Sequence, residues 1–289
     1  MDPESPQPLL PAELERQIFE ICASSRPVDI PKLMLVAWRV KEWLEPLLYR
    51  TMAVEHDPNL SLMKELPCVT GQLMLSVIQA KPAHFLRDTV RHLYLRDVLG
   101  ESFVAILSAC TGVENLWMGD IVADWTPVLA SLPLKHFYGH LHSLLRVFPP
   151  THHVFSQITH IELLGYASLQ LPDNVEIWSA LGLFPQLTHL SFNDGDFIPV
   201  CSRFFETCKS LVVLISLNAP IRMIYTLHAE ALAQDPRFVT MNCVEFLKDW
   251  QMGAHTGRDY WSRAERFISQ RRSGEVAALR YEVPDDYGD

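Results

Sequence analysis

Basic residues are scarce in this 289-residue chain, where 24 Lys and Arg face 34 Asp and Glu for a formal net charge of −10. A surface that neutralises phosphates needs clustered cations, so nucleic acid is not expected as a partner. Long apolar runs are missing as well. The stretch 211–217 is among the longest, whereas a membrane-crossing helix needs roughly 20 residues, and no membrane span is expected. The amino terminus lacks the basic start and apolar run of a secretory signal. Residues 1–8 are acidic and proline-rich instead, and are expected to be disordered. The six cysteines, Cys22, Cys68, Cys110, Cys201, Cys208 and Cys243, show no two-residue spacing of the kind that chelates zinc or forms a redox dithiol. Reduced thiols in the cytoplasm or nucleus are the expectation. Glycine numbers only 12 against 20 prolines. Neither a phosphate-cradling glycine loop nor a serine nucleophile elbow occurs, and the frequent prolines suit many short elements joined by turns.

What is present is core material: 48% of residues are hydrophobic and 20% charged, the balance of a folded chain. Residues 9–50 read as a compact helical unit. Leu14, Ile18 and Ile21 recur at helical spacing behind Pro11, a second helix is expected from Pro31 to Val40, and Trp43, Leu44, Leu47 and Leu48 form a third stripe that Pro46 kinks or restarts. From residue 90 the pattern becomes apolar-x-x-apolar-x-apolar, in segments beginning at Val90, Val113, Leu134, Ile158, Leu187 and Leu211. Their starts lie 23, 21, 24, 29 and 24 residues apart. Strand-plus-helix units of this period stack into a solenoid, here of α/β class with parallel strands, in which no unit has a core of its own. Helices are expected at 101–110, 125–132, 141–147, 175–184 and 200–208, and a last strand at 236–241. Residues 51–243 thus form the repeat body. Residues 244–289 read as a helical cap for its open end, with a frayed acidic tail from Pro284.

Strand alternation sends Leu93, Leu116, Phe137, Ile161, Leu190 and Leu214 into one buried row, and two columns to the opposite, concave face. The first column reads His92, Asn115, His136, His160, His189; the second reads Tyr94, Trp117, Tyr138, Glu162. Imidazoles and large aromatic rings on an open face suit recognition of a protein partner. Chemistry is poorly served. His136, His140 and His142 lack a carboxylate to complete a metal site. Residues 193–196 read as a tight turn, and His160 beside Glu162 has no nucleophile. No catalytic residue, metal or cofactor is assigned.

Residues Leu10, Pro11, Glu13, Leu14, Ile18, Phe19, Leu33–Val36 and Trp43–Arg50 resemble an F-box, in the form found in mushroom-type fungi. The wider order resembles the same family: F-box, irregular leucine-rich-repeat body, closing segment with Trp261. Two places depart from its pattern, Ala37-Trp38 and the connection 23–29. The resemblance implies a subunit of a cullin-RING ligase in the ubiquitin-conjugation pathway. Leu10, Pro11, Leu14, Ile18, Leu33 and Val36 would dock on, or support docking to, a Skp-type adaptor, and the repeat body would recruit an unidentified protein substrate. Two other readings stay open: a stand-alone binding protein whose helical unit is only a cap, and an enzyme or small-molecule binder using the concave face.

Overall fold

The computed structural model describes residues 10–56, 68–98, 100–119, 125–164, 177–193, 195–218, 230–285 and 287. The expectation for residues 1–8 lies outside them, as does Asp194 of the expected turn. Three helices open the chain: α1 (Ala12–Ser25), α2 (Ile30–Leu33) and α3 (Trp38–Arg50). They close a small core around Ala23, Ile30, Val40 and Leu44, against which Leu33 packs. The second helix is shorter than predicted. Ala37 is extended, with φ −161° and ψ 156°, and its carbonyl starts α3 by accepting from Lys41. Two short helices in place of one let Ile30 and Val40 reach the same core. Pro46 does not restart the helix, since α3 runs through it to Arg50.

Among the described residues nine strands follow in one open, wholly parallel sheet: β1 (Thr51–Glu55), β2 (Cys68–Thr70), β3 (His92–Arg96), β4 (Asn115–Met118), β5 (His136–Gly139), β6 (His160–Leu163), β7 (His189–Phe192), β8 (Val213–Leu217) and β9 (Phe238–Met241). Their spatial order is β2-β1-β3-β4-β5-β6-β7-β8-β9. The helices α4 (Gly71–Ala80), α5 (Ala83–Thr89), α6 (Gly100–Ala109), α7 (Thr126–Ala130), α8 (Leu141–Val147), α9 (Ile177–Leu181) and α10 (Cys201–Thr207) cover one face. Leu93, Leu116, Phe137, Ile161, Leu190 and Leu214 sit side by side in register and are fully buried beneath them, as the sequence pattern predicts.

The carboxyl-terminal segment departs from expectation. Helices α11 (Phe246–Thr256) and α12 (Tyr260–Ser273) do not close the end of the sheet. They lie across its second face and form a separate core with Ala53, Tyr94, Tyr138, Ile215 and Val239. A parallel sheet is ordinarily covered on both faces, and the apolar content of these helices makes them the cover. Gly257, at φ +71°, ends α11 in a left-handed conformation, and Asp259 and Ser262 exchange hydrogen bonds to start α12 three residues later. The free edge of β9 is met by the tail instead, through Thr240 N–H to Tyr281 O at 2.8 Å and Val283 N–H to Thr240 O at 2.9 Å. Part of the tail expected to fray is therefore held: Asn242 bonds Asp285, and the Tyr287 hydroxyl meets Gln270. No described helix is long and apolar enough to cross a membrane.

Arg271 ties α12 to this end of the sheet. Only 5% exposed, it donates to the carbonyls of Ala233 (2.7 Å), Phe238 (2.8 Å), Pro236 (3.4 Å) and Ala278 (2.7 and 3.1 Å). Arg271→Met keeps most of the packing and strands these carbonyls, so the denaturant-derived unfolding free energy should fall on the order of 3 kcal/mol. A loss below about 1 kcal/mol would show that solvent replaces the guanidinium there.

Candidate functional site

The two predicted columns exist as aligned rows. Register pairs His92 with Asn115, then His136, His160 and His189, and pairs Tyr94 with Trp117, Tyr138, Glu162 and Ser191. They are not an open surface. Tyr94 and Tyr138 are each 2% exposed, Asn115, Glu162 and His189 are buried, and His92, Trp117, His136 and His160 are partly covered. The chain's own aromatic residues fill the place assigned to a partner. Trp250 Nε1 donates to Asn115 Oδ1 at 3.0 Å, Trp261 Nε1 to Tyr138 Oη at 3.1 Å, and Tyr260 Oη to Glu162 Oε2 at 2.7 Å. Since the phenol proton goes to Glu162, the 3.0 Å contact of Tyr260 with Ser191 has the serine hydroxyl as donor. His189 Nε2 and Glu265 Oε1 close the row at 2.9 Å. The physical reason is hydration: adjacent large rings on a solvated face leave apolar area in water, and α11 and α12 remove it.

Rings pack face to face along both rows. Tyr94 and Trp117 stack at 4.2 Å, His136 and His160 at 4.0 Å, and His160 and His189 at 4.0 Å. Burial pushes the imidazoles towards neutrality: His92 is lowered to about 3 and His136 to about 4, with neighbouring cations adding to the effect. His160 is lowered further by burial and by the two imidazoles flanking it. Matching of polar groups is uneven. Thr51 Oγ1, His92 Nδ1, Trp117 Nε1 and His136 Nδ1 are buried and have no hydrogen-bond partner among the described residues, at about 1–3 kcal/mol each. All four belong to β1 and β3–β5, and Ser216 Oγ of β8 is unmatched as well, whereas Glu162 of β6 and Ser191 and His189 of β7 bond Tyr260 and Glu265.

Beneath the start of α12 lie three carboxyls and one guanidinium. Arg263 pairs with Asp249 at 2.6 Å, and Tyr260 N–H donates to the other Asp249 oxygen at 2.6 Å. Burial raises Asp259 to about 6 and Glu162 to about 8, the latter against the Tyr260 hydrogen bond. His140 and His142 stand edge to face, 5.7 Å apart, away from the row that holds His136. Among the described residues, no three His, Cys, Asp or Glu side chains converge as metal ligands would. The enclosed Glu162–Tyr260–Ser191 chain holds a proton inside the fold and gives no access to a substrate.

The open surface is on the helical unit. Leu10, Pro11, Leu14 and Ile18 are exposed along α1, and Val36 is 63% exposed beside Leu35 at 86% and Trp38 at 71%. Leu33, expected to share this role, turns into the small core. Glu15 and Arg39, at 2.7 Å, fasten the start of α1 to the start of α3, which places Leu14 and Trp38 on adjoining turns. Leu35 and Trp38 were not among the residues expected to dock, and Ala37-Trp38 stood instead as a departure from the F-box pattern. Their signal was the length of the run 33–38, too apolar for the core that three short helices enclose. Between α1 and α11 lies a cleft of about 690 Å³ lined by Gln17, Ile21 and Ser25 on one side and Met252, His255 and Arg258 on the other.

The chain matches no protein-family model and no curated protein. The buried carboxyl supplies a test of the seam. Glu162 keeps its proton in the fold up to about pH 8, while the unfolded chain releases it near 4.5. The unfolded state therefore binds fewer protons over that window, and stability falls as pH rises, by at most about 1.4 kcal/mol per unit. Urea midpoints at pH 6.5 and 8.5 should differ less in Glu162→Gln than in the wild type. An unchanged difference would place the carboxyl in contact with water.

Proposed function

We propose that the protein is a substrate-recruiting F-box subunit of a cullin-RING ubiquitin ligase. The helical unit docks on a Skp-type adaptor, and the strands and helices beyond it form an irregular leucine-rich-repeat body that takes a protein target. One observation carries the reading: the unit completes its own core with Ala23, Ile30, Val40 and Leu44, yet leaves Leu10, Leu14, Ile18, Leu35, Val36 and Trp38 in water. An apolar face that a folded unit does not use for itself is the usual mark of an interface. The strand period and the in-register apolar row support the repeat reading. With α11 and α12 across the sheet, a target first meets the rim, for instance the loop after β3 where Asp97 is exposed.

The stand-alone binder has its own support. α3 runs into β1 without a linker, Tyr49 packs edge-on to Phe85 at 5.3 Å, and Lys81 pairs with Glu45 at 2.8 Å, so the unit is also packed on the first strand and helices of the body. Co-purification decides between the two. The wild-type chain should retain a Skp-type adaptor, and Leu10→Ala with Pro11→Ala should weaken retention at least about tenfold. The thermal midpoint should stay nearly constant, because both side chains are exposed. A wild-type chain that retains no adaptor belongs to the stand-alone reading.

A further inference from the structure

Burial pushes His92, His136 and His160 of the imidazole row towards neutrality, between two layers that have little charge to balance a proton. His136, His160 and His189 stack at 4.0 Å spacing, and His92 continues the row past Asn115. Trp261 closes it from α12, edge-on to His160 and His189. Arg50, Arg91 and, from α11, His255 act on His92; Lys135 and Glu114 act on His136. Glu265 of α12 bonds only the last ring, His189. A proton on His136 or His160 thus adds a cation to a stack whose near neighbours are mostly cationic or titratable to cations. His92, His136 and His160 are partly exposed, so protons from solvent reach them.

We propose that this row is an acid-sensitive latch: protonation of His92, His136 and His160 unseats α11 and α12 while the rest of the sheet stays folded, and so opens Tyr94, Trp117 and Tyr138 as a binding face. Locality follows from the layering. Apolar side chains from Met52 to Phe238 build the core between the sheet and α4–α10, and the sheet itself separates it from the seam. The unpartnered Nδ1 atoms of His92 and His136 and Nε1 of Trp117 mark the seam as the less completely matched of the two layers. The direction follows from burial, which holds His136 near 4 and His92 near 3 against an ordinary 6.5. Between those values the unlatched form binds more protons, so the latch is intact above about pH 6.5 and weakens as pH falls towards 4. The identity of the uncovered face as a target surface rests on the proposed function; the release itself does not, and adaptor docking through α1 is a separate measurement.

Hydrogen–deuterium exchange on the full chain tests it at pH 7.5 and 5.5, after correction for intrinsic exchange. Opening of 246–273 should rise at least about tenfold, the effect of one imidazole of ordinary pKa, while 100–109 in α6 keeps its protection. His136→Asn with His160→Asn should remove most of that rise, and Asn is at home in this row, as Asn115 shows. Where the double variant fails to fold, His136→Asn alone should reduce the rise. The proposal is overturned if 246–273 and α6 lose protection together, if acid leaves 246–273 unchanged, or if a folded variant keeps the full wild-type response.

Discussion

The hydrogen bonds of Trp250, Tyr260 and Trp261 to Asn115, Glu162 and Tyr138 close the second face of a sheet whose first face is already sealed by α4–α10. Parallel strands joined by crossovers expose two faces, and a sheet with Tyr94, Trp117 and Tyr138 on one of them is not at rest in water. The carboxyl-terminal helices meet that demand with side chains of the same kind, apolar in body and polar at the tip. The contact therefore resembles a protein interface folded into one chain, and the charge states of Glu162 and the histidines follow from it.

The helical unit shows the opposite economy. Its core consists of four buried residues and their neighbours, enough to hold three short helices against one another and against the first strands. The residues left over, Leu10, Leu14 and Ile18 at the first helix and Leu35, Val36 and Trp38 at the start of α3, remain exposed. A chain that removes aromatic rings from water at one place and leaves Trp38 in water at another has put the two surfaces to different uses.

Much of the fold was legible because the sheet repeats. Leu93, Leu116, Phe137, Ile161, Leu190 and Leu214 recur at a spacing that only stacked parallel strands satisfy, and α8 was bounded correctly at Leu141 and Val147. The region 51–89 was assigned to the repeat body, but none of its elements was read. Tyr49, at the repeat's leading position before Met52 and Val54 of β1, lies in the last turn of α3, and β2 is three residues long and sits outside β1, out of chain order. Short strands take their place from pairing, and periodicity has too few residues there to register it.

The sequence by itself determined the α/β class, the strand register, the inward row and the composition of the two outward columns, because alternation and repeat length are local properties that stacking preserves. Only the tertiary structure decided what those columns face. Trp261 lies 123 residues from Tyr138 and Trp250 lies 135 from Asn115 along the chain. No local pattern says whether a terminal helix covers the end of a sheet or folds back across it. That choice is made by where the largest unburied apolar area remains once the strands have stacked, and the aromatic column was that area.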